Sequence, residues 1–267
     1  MLRDYPDPAF RRRASIIVSS LEATPTQRVL DVGCGRGKFE VLISTLFSRI
    51  ELVAIDLDAI RLGLARAKGA RSRIHVVRAD ATHLPSRPRT FERIIASEIL
   101  EHVHDDNEAL KEIKRVLGNG FVLFSVPHAR YPFSWDPLNF ILEHTLGIHL
   151  PSTVRAFAGI WASHQRLYTE AEFLNKVSRT GLRPVRVWRT TEFCFPFCSL
   201  LLNLVASFLD RFGGRLEFVR NPVTQPSSPL AHALSNPIRV LDKFSGNSLQ
   251  GHRFVNLVVK STKSWED

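Results

Sequence analysis

Apolar residues in this chain come in short runs that stop at glycines or acids, separated by stretches where they recur every three or four positions. Val29-Leu30-Asp31-Val32 has the pattern of a buried strand. It stops in Gly33-Cys34-Gly35-Arg36-Gly37, after which Lys38–Phe47 takes a helical period. Leu52-Val53-Ala54-Ile55-Asp56, Ile74–Ala81 and Phe91–Glu98 are further strand runs, with a helix predicted over Ala59–Lys68. Ala109–Leu117 leads into Phe121–Pro127, where the strand-rich half ends. Residues 7–22 predict an amphipathic N-terminal helix, Glu170–Thr180 another helix, Pro184–Trp188 a sixth strand and His252–Lys260, by its alternation, a last one.

The candidate chemistry sits where the strand runs end. Glycines at alternate positions tolerate positive φ and remove the Cβ between backbone and ligand. The N–H groups that open the next helix favour an anionic group above the turn. A strand, a glycine turn and a helix in this order are how doubly wound α/β folds hold an adenosine-containing cofactor. A dinucleotide fingerprint needs G-x-G-x-x-G, but here the third glycine comes one residue early, at Gly37, and Lys38 stands where the pattern wants glycine. Asp31 lies two residues before the first glycine, and its carboxylate can accept from an ammonium group, which a pyrophosphate lacks. S-adenosyl-L-methionine (SAM) has that ammonium, and a carboxylate suited to the helix start, so the charge pattern favours SAM over NAD. Asp56 follows about 20 residues past the first glycine, where such folds place the ribose-hydroxyl acceptor. Asp80 and the Ala81 N–H stand where the adenine amino group and a ring nitrogen would be met.

These pieces together resemble the class I SAM-dependent methyltransferases, in particular the ubiquinone-biosynthesis-like subgroup of small-molecule enzymes. The matching residues are Asp31–Gly37, Ile55-Asp56, Ala79-Asp80-Ala81, Ser97–Val103, Ala109–Leu117 with Phe121–Pro127, and His164–Thr169, within roughly residues 25–190. The resemblance implies a Rossmann-like, doubly wound, mostly parallel seven-stranded sheet with an antiparallel last strand and helical inserts. It implies Asp31, Gly33, Cys34, Gly35, Gly37, Asp56, Leu57, Asp80, Ala81 and Ser97 as the cofactor-binding set, and no metal. Cys34 is placed between glycines for its small size rather than as a nucleophile. Glu101-His102-Val103-His104-Asp105-Asp106 has the composition of a metal cluster, but its spacing fits a solvated segment capping a helix. A hydroxyl acceptor needs a base; of Glu98, Glu101, His102, His128 and His164, we expect His102 or His128.

Composition bounds the rest. The chain has 267 residues and is 44% apolar, enough for a substantial core. Three cysteines without C-x-x-C spacing argue against a disulfide framework or a structural zinc, and the opening residues carry no signal-peptide pattern. A cytoplasmic location is expected, peripheral on the inner membrane face if the basic surface meets lipid. The net charge of +10 permits a polyanionic partner, nucleic acid or an anionic membrane. We expect an N-terminal helix at 1–24 and a SAM-binding core at 25–191 with an aromatic, irregular insert at 128–168. An apolar and irregular insert at 192–250 and a final strand with its tail at 251–267 complete the division. Cys194–Leu209 is too short for a membrane span; with the arginines that follow, 194–220 fits an interfacial helix, a buried helix or a dimer contact. The leading function is methyl transfer to a small-molecule or lipid-like acceptor, at a hydroxyl. The rivals are a tRNA or rRNA methyltransferase and a non-catalytic SAM-binding regulatory or scaffold protein.

Overall fold

Residues 7–47, 49–59, 73–151, 153–154, 159–161, 164–192 and 252–264 are described in a computed structural model of the chain. The elements run α1 (Pro8–Ser20), β1 (Arg28–Val32), α2 (Lys38–Leu46), β2 (Glu51–Asp56), β3 (Ile74–Arg78), β4 (Phe91–Ser97), α3 (Asp106–Val116), β5 (Leu117–Pro127), α4 (Pro137–Leu146), α5 (Glu170–Arg179), β6 (Leu182–Thr190) and β7 (Asn256–Lys263). Seven strands form one sheet in the order β3-β2-β1-β4-β5-β7-β6. β1 pairs in parallel with β2 and β4, β2 with β3, and β4 with β5, while β7 is antiparallel. The order reverses beside β1, as doubly wound sheets do at their ligand crevice. The predicted Rossmann-like, mixed seven-stranded sheet is present.

The chain divides into two compact units. One comprises Ala14–Val126, Tyr168–Trp188 and Val258–Asp267, the other Met1–Arg13, Pro127–Leu167 and Arg189–Leu257. In the first, Val29, Leu30, Val32, Ile94, Ile95 and Val122 are buried on the central strands. This explains why those strands read as unbroken apolar runs: helices cover a parallel sheet on both faces. α3 shows the opposite pattern, burying Ala109, Leu110, Ile113 and Val116 on one stripe; the Asp105 carboxylate caps it by accepting from the N–H groups of Asn107 and Glu108.

Several expected boundaries move. β5 begins at Leu117 rather than Phe121, β6 runs past both ends of Pro184–Trp188, and β7 starts at Asn256 rather than His252. The insert at 128–168 is less irregular than its sequence suggests. Asp136 caps α4 by accepting from the Asn139 N–H, Pro137 takes the first helical turn, and Gly147 closes it at φ 67°. Segments 194–209, 194–220 and 221–250, and the predicted helix beyond Ala59, lie outside the described residues. Among the described residues no helix is long and apolar enough to cross a membrane.

Candidate active site

The glycine turn is tied to the end of β2 by three backbone donors. Gly33 and Cys34 both donate to the Ile55 carbonyl, at 2.8 and 2.9 Å, and the Gly35 N–H donates to Asp56 Oδ2 at 2.8 Å. Gly33, Gly35 and Gly37 have φ of 78°, 56° and 74°. The first two glycines are needed for different reasons. A Cβ on Gly33 would meet the Ile99 side chain at 2.7–2.9 Å, whereas a Cβ on Gly35 would meet nothing within 4 Å. The backbone at Gly35 is open, as close approach to a ligand requires.

Beneath the turn lies a cluster of acids. Asp31 is 1% exposed and Glu40, in the first turn of α2, is 0% exposed. Burial first, then the charge and hydrogen bond of Glu40 and the charge of Asp56, push the Asp31 carboxyl well above its ordinary value. Asp31 Oδ2 is buried without a hydrogen-bond partner. Burial and the same three acids also push the Cys34 thiol up, so Cys34 stays protonated and is no nucleophile. A pair of buried acids is costly on its own, and the free Oδ2 of Asp31 suits an incoming ammonium.

The other expected cofactor residues stand on the same edge of the sheet. Asp56 ends β2, its Oδ1 accepting from the Asp58 N–H at 2.8 Å, and Leu57 beside it is 58% exposed. Past β3, Asp80 Oδ1 accepts from the N–H and hydroxyl of Thr82, both at 2.9 Å, and Ala81 is buried. Ser97 ends β4, its hydroxyl 2.9 Å from that of Ser125, which donates onward to Glu98 Oε1 at 2.9 Å. Glu98 itself has φ 53°, a strained conformation for a residue with a Cβ, held by its N–H to the Ser125 carbonyl. All ten residues therefore collect at the carboxyl ends of β1 to β4.

The two candidate bases have different surroundings. The His102 side chain is 34% exposed, its Nε2 3.9 Å from the fully buried Glu101 carboxylate. Asp105 supplies the helix cap expected of this segment, but Glu101 is buried where a solvated residue was expected. His128 is buried, with its ring stacked on Phe254 at 3.8 Å.

Two features escaped the sequence. Glu40 could have been found as an acid on the buried face of α2, three residues before Ile43. The Tyr168 hydroxyl donates to Asp106 Oδ2 at 2.7 Å and lies 3.1 Å from the Leu100 carbonyl, while Lys176 Nζ donates to Asp106 Oδ1 at 2.8 Å. These bonds pin both ends of the segment carrying His102. The sequence offered no sign of them beyond the Leu-Tyr-Thr run itself.

The sheet order is that of the Rossmann-like fold shared by solved methyltransferase structures. Residues 30–124 match the family model described as a methyltransferase domain. The chain is 29% identical over 184 residues to the demethylmenaquinone methyltransferase of Thermobifida fusca, covering 66% of this chain and 77% of that protein. It is 34% identical over 122 residues to the ubiquinone/menaquinone biosynthesis C-methyltransferase UbiE of Haemophilus ducreyi, covering 42% of this chain and 45% of that one. In fold it resembles a SAM-dependent methyltransferase from Thermotoga maritima, with TM-score 0.58 at 15% identity, covering 98% of this chain and 92% of that one. These matches support reading the chain as a class I SAM-dependent methyltransferase of the ubiquinone-biosynthesis-like type, with SAM as its cofactor.

Proposed function

We propose that this enzyme methylates a small-molecule or lipid-like acceptor at a hydroxyl, and that the acid-lined glycine turn is where it holds SAM. The observation that carries the cofactor assignment is Asp31, buried with an unpartnered oxygen below the open backbone of Gly35. Asp31 and Glu40 face the ammonium, Asp56 takes the ribose hydroxyls, and Asp80 with the Ala81 N–H takes the adenine edge. Each oxygen of Asp56 accepts one backbone N–H, leaving lone pairs for further donors. Gly33, Cys34, Gly35, Gly37, Leu57 and Ser97 line the same site.

SAM supplies an activated methyl group on a sulfonium that carries its own leaving group, so the protein's contribution is chiefly alignment. A hydroxyl acceptor must also lose a proton. His102 suits this better than His128, because it is accessible and has a carboxylate beside it to stabilise the imidazolium. The relatives named for demethylmenaquinone and for ubiquinone/menaquinone biosynthesis support a lipid-like acceptor.

The test is incubation with methyl-labelled SAM and a whole-cell extract, followed by fractionation. Label in lipid or small-molecule fractions is the expected result, lost in Asp56→Ala and reduced in His102→Gln. Label in RNA with a steep salt dependence would move the assignment to nucleic acid. Tight SAM binding with no label transferred would make the protein a scaffold.

A further inference from the structure

The unit containing α4 carries a surface made by none of the ten residues assigned to the cofactor. Nine large apolar side chains stand exposed among the described residues, and six of them fall between Phe133 and Val154. On α4, Leu138 and Ile141 are three residues apart and share a face; Leu146, at 65% exposure, ends the helix, and Ile148 follows the turn at Gly147. Scattered exposed apolar residues need no explanation, but such a concentration marks an interaction site.

Beside this rim is a cleft of about 450 Å³ whose lining includes Arg130, His144, His252 and Arg253. The Arg253 guanidinium lies 4.8 Å above the Phe140 ring, and the His144 ring stacks on Phe140 at 4.0 Å. Exposed Phe133 packs edge-on against the same ring at 5.5 Å. The apolar rim and the cationic cleft are therefore parts of one surface, joined at Phe140.

The local acids are turned away from it. Between residues 128 and 154 the sequence has two, Asp136 and Glu143. Asp136 is buried and accepts from the Asn139 side chain at 2.8 Å and the Ile160 N–H at 2.9 Å. Glu143 accepts from the Tyr131 hydroxyl at 2.8 Å and from the Trp161 indole. Burial, then the hydrogen bond to Glu143, raises the Tyr131 phenol far above its ordinary value, so it remains a donor. Among the described residues of this stretch the exposed side chains of the rim are apolar and the cleft is lined by basic groups, in a chain already at +10.

We infer that this face docks on an anionic phospholipid bilayer, with Ile141, Leu146 and Ile148 entering the acyl boundary and Arg130 and Arg253 meeting lipid phosphates. An interfacial surface needs both components, apolar area for depth and cations for the anionic headgroups. Arginine's planar fork suits phosphate oxygens. The inference does not depend on which acceptor is methylated.

The experiment is flotation of the purified full chain with vesicles of phosphatidylcholine alone and of phosphatidylcholine mixed with phosphatidylglycerol. Binding is expected to the mixed vesicles only and to weaken with salt. The double substitution Ile141→Asp with Leu146→Asp should lower it by about tenfold or more. Arg253→Glu should lower it by about fivefold and flatten its salt dependence. Calorimetric SAM affinity, read in parallel, establishes that each variant is folded. Equal binding to both vesicle types, no binding to either, or binding untouched by these substitutions in folded protein would overturn the inference. So would a dimer in solution that Ile141→Asp dissociates, because a second copy would then cover the face.

Discussion

At Asp31 the proposed binding role would come at the expense of stability. Its carboxyl holds a proton more tightly in the folded chain than in the unfolded one, where the ordinary value is 3.8. As pH rises above that value the unfolded state loses its proton first, so the folded state binds more protons and stability falls with pH up to the raised folded value. Asp31→Asn removes this penalty. The cofactor-free variant should melt higher than the parent at neutral pH, the gap closing towards pH 4 in a series of thermal melts. The same substitution removes a charge-assisted partner for the ammonium, costing about 1.5–3 kcal/mol, or roughly ten- to a hundredfold in SAM affinity. In the parent, affinity should rise with pH as the shared proton leaves; in the variant it should be flat. Calorimetry across a pH series reads both. A variant that is less stable and binds SAM as before would refute the assignment of Asp31.

Among the elements, the β1–α2 turn separates two kinds of glycine. Gly35→Ala introduces a side chain in left-handed backbone, worth about 1–2 kcal/mol, but finds open space. Gly33→Ala carries that strain and also drives into Ile99, adding about 1–3 kcal/mol. Chemical denaturation should rank Gly33→Ala as clearly the less stable, while Gly35→Ala should lose SAM affinity out of proportion to its stability. The segment from Leu100 to Asp106 offers a second comparison. Tyr168→Phe removes a buried donor from Asp106 while leaving Lys176 in place, and should cost about 1–3 kcal/mol. If His102 is the base, the turnover of Tyr168→Phe should fall with little change in SAM affinity, because the loosened segment carries His102 and no cofactor contact.

For the molecule as a whole, legibility followed periodicity. The central strands were readable because a parallel sheet covered on both faces must be apolar throughout, and their acids stood out as interruptions. Strand ends were less so: β5 begins in Leu117-Gly118-Asn119-Gly120, residues that suggest a turn, yet β5 pairs with β4 on both sides of them, Leu117 with Phe91 and Phe121 with Arg93, across a shift in register. α4 was hidden because its exposed face is apolar and its signals are caps rather than a stripe. The Tyr168–Asp106–Lys176 group depends on contacts between segments far apart in the chain, which no local pattern encodes. The double acceptance by the Ile55 carbonyl carries one more consequence. Because the Gly33 and Cys34 amides are bonded to a central strand rather than to a loop, they belong to the slowest-opening part of the fold. In amide hydrogen exchange they should be as protected as β1 itself, with or without SAM. The turn is then a rigid seat formed before the cofactor arrives, and the rate of SAM association should not be limited by its closure.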